Sequence, residues 1–316
     1  MSKNSIEVNN LVKRYKKAKG NAVDGVSFEV KGGEFFSLLG PNGAGKTTTI
    51  SVLTTTLNKT SGDVKIAGYD TETHASDVRQ NIGIIFQNPS LDINLSAEEN
   101  VRLHAILYGV FPYRPTYTLM PEAYKKQVME LAELLGISES IHKPIKTFSG
   151  GMKRKLEIIR SLIHKPKVLF LDEPTSGLDP ASRRSLWDYL EEVMKNENMT
   201  VFLTTHYLEE AEDADRVAII TNGKIEMMGT PNSIKNKLLE DHMTIDAKNR
   251  SGLKKELDSK KVNYSGVGPF KVSLKKQRAQ EIIKNLDTKL SLLDIQRPTL
   301  EEAYLQLIQQ KIHEGN

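Results

Sequence analysis

The chain contains no cysteine. That absence excludes disulfides, thiolate metal centres and cysteine nucleophiles, and it suits a reducing cytoplasm without requiring one. Long apolar runs are also missing. The longest, such as 168–171 and 217–220, have the length of strands, far short of the roughly 18 uninterrupted apolar residues of a spanning helix. Residues 1–10 are polar and hold no apolar core of a signal peptide, so the chain is not expected to cross a membrane itself. Charge of one sign is scarce: 44 basic residues face 40 acidic ones, a formal +4. Such a balance demands neither nucleic acid nor an anionic membrane surface, and no direct nucleic-acid binding is expected. The basic run from Lys13 to Lys19 reads as a solvated loop.

What is present is ordinary in bulk and specific in detail. With 316 residues, 38% hydrophobic and 27% charged, the chain has room for one large domain and a smaller one, or two of average size. Residues 6–36 alternate apolar and polar around Gly25, Gly32 and Gly33, the pattern of an antiparallel β layer. Residues 35–39 form a buried strand running into glycine, and 47–57 a helix. Helical spacing fills 97–141, broken by Pro112, Pro115 and Pro121 into a loop over 111–121. Buried strands at 167–171, 200–204 and 216–220 alternate with helices at 181–195 and 207–213, which indicates a parallel α/β core. Near Gly229 the pattern changes. Residues 231–316 read as a small α+β domain, with helices at 252–258 and 276–286, strands near 243–246, 270–274 and 290–295, and a closing helix around Tyr304. That helix either supports dimerisation or packs within its own domain.

Gly40-Pro41-Asn42-Gly43-Ala44-Gly45-Lys46-Thr47, followed by Thr48, matches the P-loop pattern with a strand before it and a helix after it. Glycines let successive N–H groups turn inward around phosphate oxygens, and the helix N-terminus adds partial positive charge. Lys46 can reach the β- and γ-phosphates, and the Thr47 hydroxyl can hold Mg²⁺. Val168 to Leu171 then leads into Asp172 and Glu173. Ligands of open α/β sheets bind beyond the carboxyl ends of strands, where these acids fall. Asp172 is the candidate second metal contact and Glu173 the carboxylate that orients the attacking water.

Phe148-Ser149-Gly150-Gly151-Met152 precedes a helix carrying Lys153, Arg154 and Lys155, a second candidate anion cradle. Three cations in a first helical turn oppose the macrodipole unless solvent or an anion compensates them. Ser149-Gly150-Gly151, then 172–179, then Thr204-Thr205-His206 follow in order behind the P-loop. With that set the sequence resembles the ATP-binding-cassette (ABC) transporter ATPases over about residues 5–230. The expected fold is therefore a P-loop α/β core of that type, with an antiparallel layer and a helical subdomain over 1–230, plus the accessory α+β domain at 231–316.

The resemblance implies a head-to-tail dimer with two ATPs, each between one subunit's P-loop and the other's Ser149-Gly150-Gly151. It implies that Tyr15 stacks on adenine and that Gln87 links Mg²⁺ and water to a membrane partner. It also implies that Asp179 works across the dimer and that His206 contacts the γ-phosphate. One departure is Met152, where the family commonly has Gln; methionine offers no amide, although neighbouring backbone donors remain. The 111–121 loop looks longer than usual for the family's helical subdomain and either faces the membrane partner or is a surface excursion, the second being the preferred reading.

A looser match, through Ser149 to Leu156 and Pro298 to Tyr304, is to the drug- and antibiotic-export branch. It implies an exporter with a separately encoded multi-span permease, and a place at the cytoplasmic face of the membrane. A non-transport ABC ATPase acting on ribosomes or DNA is the competing class; its usual second cassette or coiled-coil insertion is not visible here.

Overall fold

The computed structural model describes residues 4–87, 90–176, 178–239, 242–274, 279–296 and 299–314. Gly177, Pro298 and positions 276–278 of the expected 276–286 helix lie outside them. The chain divides into two compact units, Met1–Met228 and Gly229–Asn316.

In the first unit β1 (Asn4–Lys13) pairs antiparallel with β2 (Val23–Lys31). An apolar run interrupted by Ser37 alone follows in β3 (Phe35–Leu39), buried at every position. Such a run suits a central parallel strand covered on both faces. Helix α1 (Lys46–Leu53) leaves the P-loop and stops four residues short of the expected 57. The Thr54 hydroxyl donates back to Ile50 O at 2.8 Å, the Thr56 hydroxyl to Ser51 O at 2.9 Å, and Thr55 turns left-handed with φ 60. Threonine side chains compete for backbone groups in this way and end helices.

Strands β4 (Ser61–Ile66) and β5 (Tyr69–Asp70), absent from the sequence reading, complete an antiparallel sheet of order β2-β1-β4-β5. Helix α2 (Ala75–Asn81) leads into β6 (Ile82–Ile85), and α3 (Ala97–Leu107) and α4 (Glu122–Leu134) follow. Next come α5 (Gly150–Leu162), β7 (Val168–Asp172), α6 (Pro180–Glu197) and β8 (Thr200–Thr205). The unit closes with α7 (Leu208–Glu212), β9 (Arg216–Thr221) and β10 (Lys224–Gly229). The six-stranded sheet has the order β10-β9-β3-β8-β7-β6, with β9, β3, β8, β7 and β6 parallel. Phe28 of the antiparallel layer stacks on Phe36 and Phe202 of the parallel sheet at 5.3 and 5.7 Å between centroids, which fastens the two sheets together.

The 111–121 segment is less free than the expected surface excursion. Arg102 of α3 donates to Arg114 O at 2.9 Å and Pro115 O at 2.7 Å. Tyr117 and Phe111 stack edge-on against the buried Tyr124, and Met120 is itself buried.

In the second unit, α8 (Pro231–Leu238) precedes β11 (His242–Ala247), α9 (Arg250–Ser259), β12 (Tyr264–Ser265) and β13 (Phe270–Ser273). Helix α10 (Ala279–Lys284), β14 (Leu290–Gln296) and α11 (Leu300–Glu314) complete it. The sheet order β12-β13-β11-β14, with all neighbours antiparallel, is that of a ferredoxin-like βαββαβ unit. Met243, Ile245, Leu253, Leu257, Phe270 and Val272 form its core. Helix α11 packs against α8 of the same unit, and its Leu300, Ala303 and Leu307 are buried. Packing within its own domain, one of the two uses considered for this helix, accounts for these three residues, while Leu305 is 53% exposed.

Candidate nucleotide site

Four strands that are neighbours in the sheet, β3, β8, β7 and β6, deliver the site from their carboxyl ends. The P-loop leaves β3 at Gly40, where a Cβ would lie 2.3 Å from Ile220 O, so only glycine passes. Gly43 and Gly45 have φ 81 and 106, conformations that glycine adopts at little cost. A cavity of about 270 Å³ opens here, lined by Ala22, Asn42, Gly43, Gly45, Lys46, Thr47, Thr48, Gln87 and Glu173. Lys46 is buried. Its Nζ donates to Gly40 O at 2.8 Å and Pro41 O at 3.1 Å, and sits 3.4 Å from Glu173 Oε1.

Asp172 ends β7, with Thr47 Oγ1 at 3.5 Å from its Oδ1 and the Thr204 hydroxyl donating to the same oxygen. Burial pushes the Asp172 carboxyl above its usual range, partly offset by that Thr204 bond. Among the described residues no three His, Cys, Asp or Glu side chains gather as a metal cage. One hydroxyl beside one carboxylate instead fits Mg²⁺, which takes few protein ligands and completes its octahedron with phosphates and water.

Glu173 is buried in a left-handed backbone conformation, φ 47, and its N–H donates to Thr204 O at 2.9 Å. Non-glycine residues held this way cost on the order of 1–3 kcal/mol and cluster at functional sites. Gln87 Nε2 donates to Glu173 Oε2 at 3.0 Å. His206 Nδ1 lies 3.1 Å from Glu173 Oε1 but off the line that a hydrogen bond needs. Glu173 is thus the hub: lysine and histidine at one oxygen, an amide at the other.

The remaining expected residues lie at other places. Tyr15 is 46% exposed, its hydroxyl 3.3 Å from Thr48 Oγ1 and Lys13 Nζ 5.6 Å over its ring. Ser149 caps α5, its Oγ accepting from Met152 N at 3.2 Å, and Ser149 and Gly150 are exposed. The Met152 N–H is thus engaged within the cap of its own helix. Asp179 is exposed immediately before α6, and its carbonyl accepts from Arg183 N at 3.0 Å. Neither Asp179 nor Ser149, Gly150 and Gly151 line the P-loop cavity.

Several participants escaped the sequence reading. The hydroxyls of Thr175 and Thr205 both donate to the buried Glu210, which ties the turn after Glu173 to the turn carrying His206. The only signal for Glu210 was an acid four residues beyond His206. Arg154, grouped above with two surface cations, is buried and paired with Glu157 at 2.9 Å. The anion that compensates it lies on its own helix.

Against this geometry, the family model for ABC transporter matches residues 23–176. The chain is 40% identical over 234 residues to the doxorubicin resistance ATP-binding protein DrrA of Mycobacterium tuberculosis, covering 74% of this chain and 68% of that protein. It is 34% identical over 315 residues to the linearmycin resistance ATP-binding protein LnrL of Bacillus subtilis, covering 96% and 97%. That second likeness runs through both units. Among solved structures, an ATP-binding subunit of an ABC transporter superposes with TM-score 0.65 at 30% identity, covering 73% of this chain and 92% of that one. The dimeric cassette MJ0796 bound to ADP and Pi superposes with TM-score 0.63 at 26% identity, covering 71% and 98%. The chain belongs to the ABC transporter ATP-binding family, in the branch that holds these drug- and antibiotic-resistance subunits.

Proposed function

We propose that two copies of this chain close head to tail on two Mg-ATP molecules and couple that closure to a separate multi-span export permease. The chain is the ATP-hydrolysing subunit of such a transporter. The observation that carries the reading is the convergence of Lys46, Gln87 and His206 on Glu173 at the mouth of the P-loop cavity, while Ser149 and Gly150 are exposed at the tip of α5. A polarised carboxylate beside a phosphate cradle suits activation of water, and an exposed cap with free helix N–H groups suits an anion brought by a second copy.

In this reading the γ-phosphate replaces the carbonyls and Glu173 as the acceptor for Lys46. Thr47 and Asp172 would hold Mg²⁺, which would supply charge neutralisation on the phosphates. Glu173 then takes the proton of the attacking water as that oxygen bonds the γ-phosphorus and ADP leaves, while His206 contacts the γ-phosphate. Tyr15 offers its exposed ring to adenine, and Asp179 meets the opposite subunit. The permease docks beside Gln87. Leu103 and Leu107, exposed one turn apart on α3, give it an apolar contact. The ferredoxin-like unit is an accessory domain, and the assembly sits at the cytoplasmic face of the membrane.

Purified protein should hydrolyse ATP. Glu173→Gln should still bind ATP yet turn over at least a hundredfold more slowly. Turnover at the wild-type rate in that variant removes Glu173 from its role.

A further inference from the structure

One buried guanidinium joins the two halves of the composite site within a single chain. Arg154 is the fifth residue of α5, three positions beyond Gly151. Its Nε donates to Pro174 O at 2.6 Å, its Nη2 to Glu173 O at 3.4 Å, and its Nη1 to Phe86 O and to Glu157 Oε2 at 2.9 Å. Glu157, one turn further along, accepts from Ser90 N at 2.9 Å through its other oxygen, and Arg160 donates to Ser90 O at 2.7 Å. Phe86 and Ser90 bracket Gln87. The inner face of α5 therefore holds the chain on both sides of Gln87, and it also holds the turn on which Glu173 stands.

That turn needs holding. Glu173 keeps its left-handed backbone against strain, and such conformations persist only where the surroundings over-determine them. Its N–H is fixed by Thr204 O, and its carbonyl is shared by Arg154 and by Ser176 N at 3.2 Å. A planar fork that meets several acceptors at once fixes orientation as a lysine ammonium cannot. Burial draws Arg154 below its usual pKa, against the pull of Glu157.

We infer that Arg154 is a positioning residue that sets the Glu173 turn of its own chain from the helix whose tip receives the other chain's nucleotide. This rests on the head-to-tail reading above. In that arrangement Ser149-Gly150-Gly151 touches the ATP on the partner's P-loop, whereas Glu173 serves the ATP on its own. A displacement of α5 on engaging one nucleotide is passed through Arg154 to the carboxylate at the other. Engagement at one site thereby regulates hydrolysis at its twin.

The test separates closure from hydrolysis. Arg154→Lys keeps the charge for Glu157 but loses the fork. It should lower kcat at least tenfold, with the ATP KM within threefold of wild type and unfolding by heat little changed. In a Glu173→Gln background, which removes hydrolysis, the added Arg154→Lys should leave the ATP-dependent dimer fraction in sedimentation velocity unaltered. An unchanged kcat overturns the inference. A fall in kcat matched by an equal loss of dimer overturns it too, because the arginine then serves only the tip of α5. If Arg154→Lys does not fold, Glu157→Gln replaces it. That variant removes the charge that anchors the guanidinium, so kcat should fall with the ATP KM and the dimer fraction unchanged; an unchanged kcat, or a fall matched by loss of dimer, overturns the inference. Failure of Glu173→Gln alone to dimerise with ATP strikes the head-to-tail reading, not the role of Arg154.

Discussion

Gly45→Ala should damage this protein far more than Gly43→Ala, although both replace a P-loop glycine by one methyl group. Gly43 has φ 81 with nothing within 4 Å of the Cβ position. Its replacement carries the left-handed cost of about 1–2 kcal/mol, reduced by about 0.4–1 kcal/mol because alanine restricts the unfolded chain. Gly45 has φ 106, and its Cβ would stand 2.5 Å from Ala22 O. Backbone strain of about 1–3 kcal/mol is joined there by about 1–3 kcal/mol of overpacking against a carbonyl that cannot rotate aside. With the same unfolded-chain offset the expected total is about 1–6 kcal/mol, centred near 3, against about 1 for Gly43.

Gly45→Ala can take that cost in two ways. Either the loop keeps its shape and the fold loses stability, or the loop shifts and nucleotide binding weakens by about tenfold for each 1.4 kcal/mol. Thermal unfolding and titration with a fluorescent ATP analogue, run on both variants, capture the sum. If Gly45→Ala matches Gly43→Ala on both measurements, the close approach of Ala22 is not a constraint and the account of the loop is wrong.

Thr204→Val removes the hydroxyl that steadies Asp172, so the carboxyl should rise further above its usual range and more Mg²⁺ should be needed for half-maximal hydrolysis. A hydrogen bond to a charged group is worth about 1.5–3 kcal/mol, and an unchanged Mg²⁺ requirement counts against Asp172 as a ligand. His104 is half-buried among Tyr108, His164 and Arg160, and desolvation, then Arg160, pulls its pKa from 6.5 to about 3. The unfolded chain therefore binds a proton that the fold refuses, and stability from this group is lost as pH falls from 6.5 towards about 3. His104→Phe should recover about 2 kcal/mol of the loss between pH 7 and pH 5, read from denaturant midpoints at the two pH values. Arg102→Met strips the anchors from Arg114 O and Pro115 O and removes the cation paired with the buried Glu98, which keeps the Tyr124 hydroxyl as a donor at 3.0 Å. Limited proteolysis should then cut within 111–121 at least tenfold faster than in wild type, and equal rates remove Arg102 as the pin.

The P-loop was legible because its chemistry lies in eight consecutive residues between a strand and a helix. The order of the parallel core was not. Strand β8 inserts between β3 and β7, and only that insertion sets His206 beside Glu173 and Thr204 beside Asp172. A chain read in order does not reveal which strand fills the gap. Arg154 was hidden for another reason: three of its partners are carbonyls, which every residue carries, so no pattern of side chains announces them. Strands β4 and β5 went unseen because Ser61–Ile66 is half polar and β5 has two residues, below the length at which alternation speaks. The C-terminal strands were visible as apolar runs, but their ferredoxin-like order required the pairing of β11 with both β13 and β14.

On the head-to-tail reading, one copy of the chain does not complete its own reaction centre. Specific ATPase activity measured over a thousandfold dilution series, with sedimentation of the same samples in ATP, tests it most directly. Activity per chain should fall with dilution in step with the dimer fraction. Constant activity per chain in samples that sediment as monomers contradicts the account.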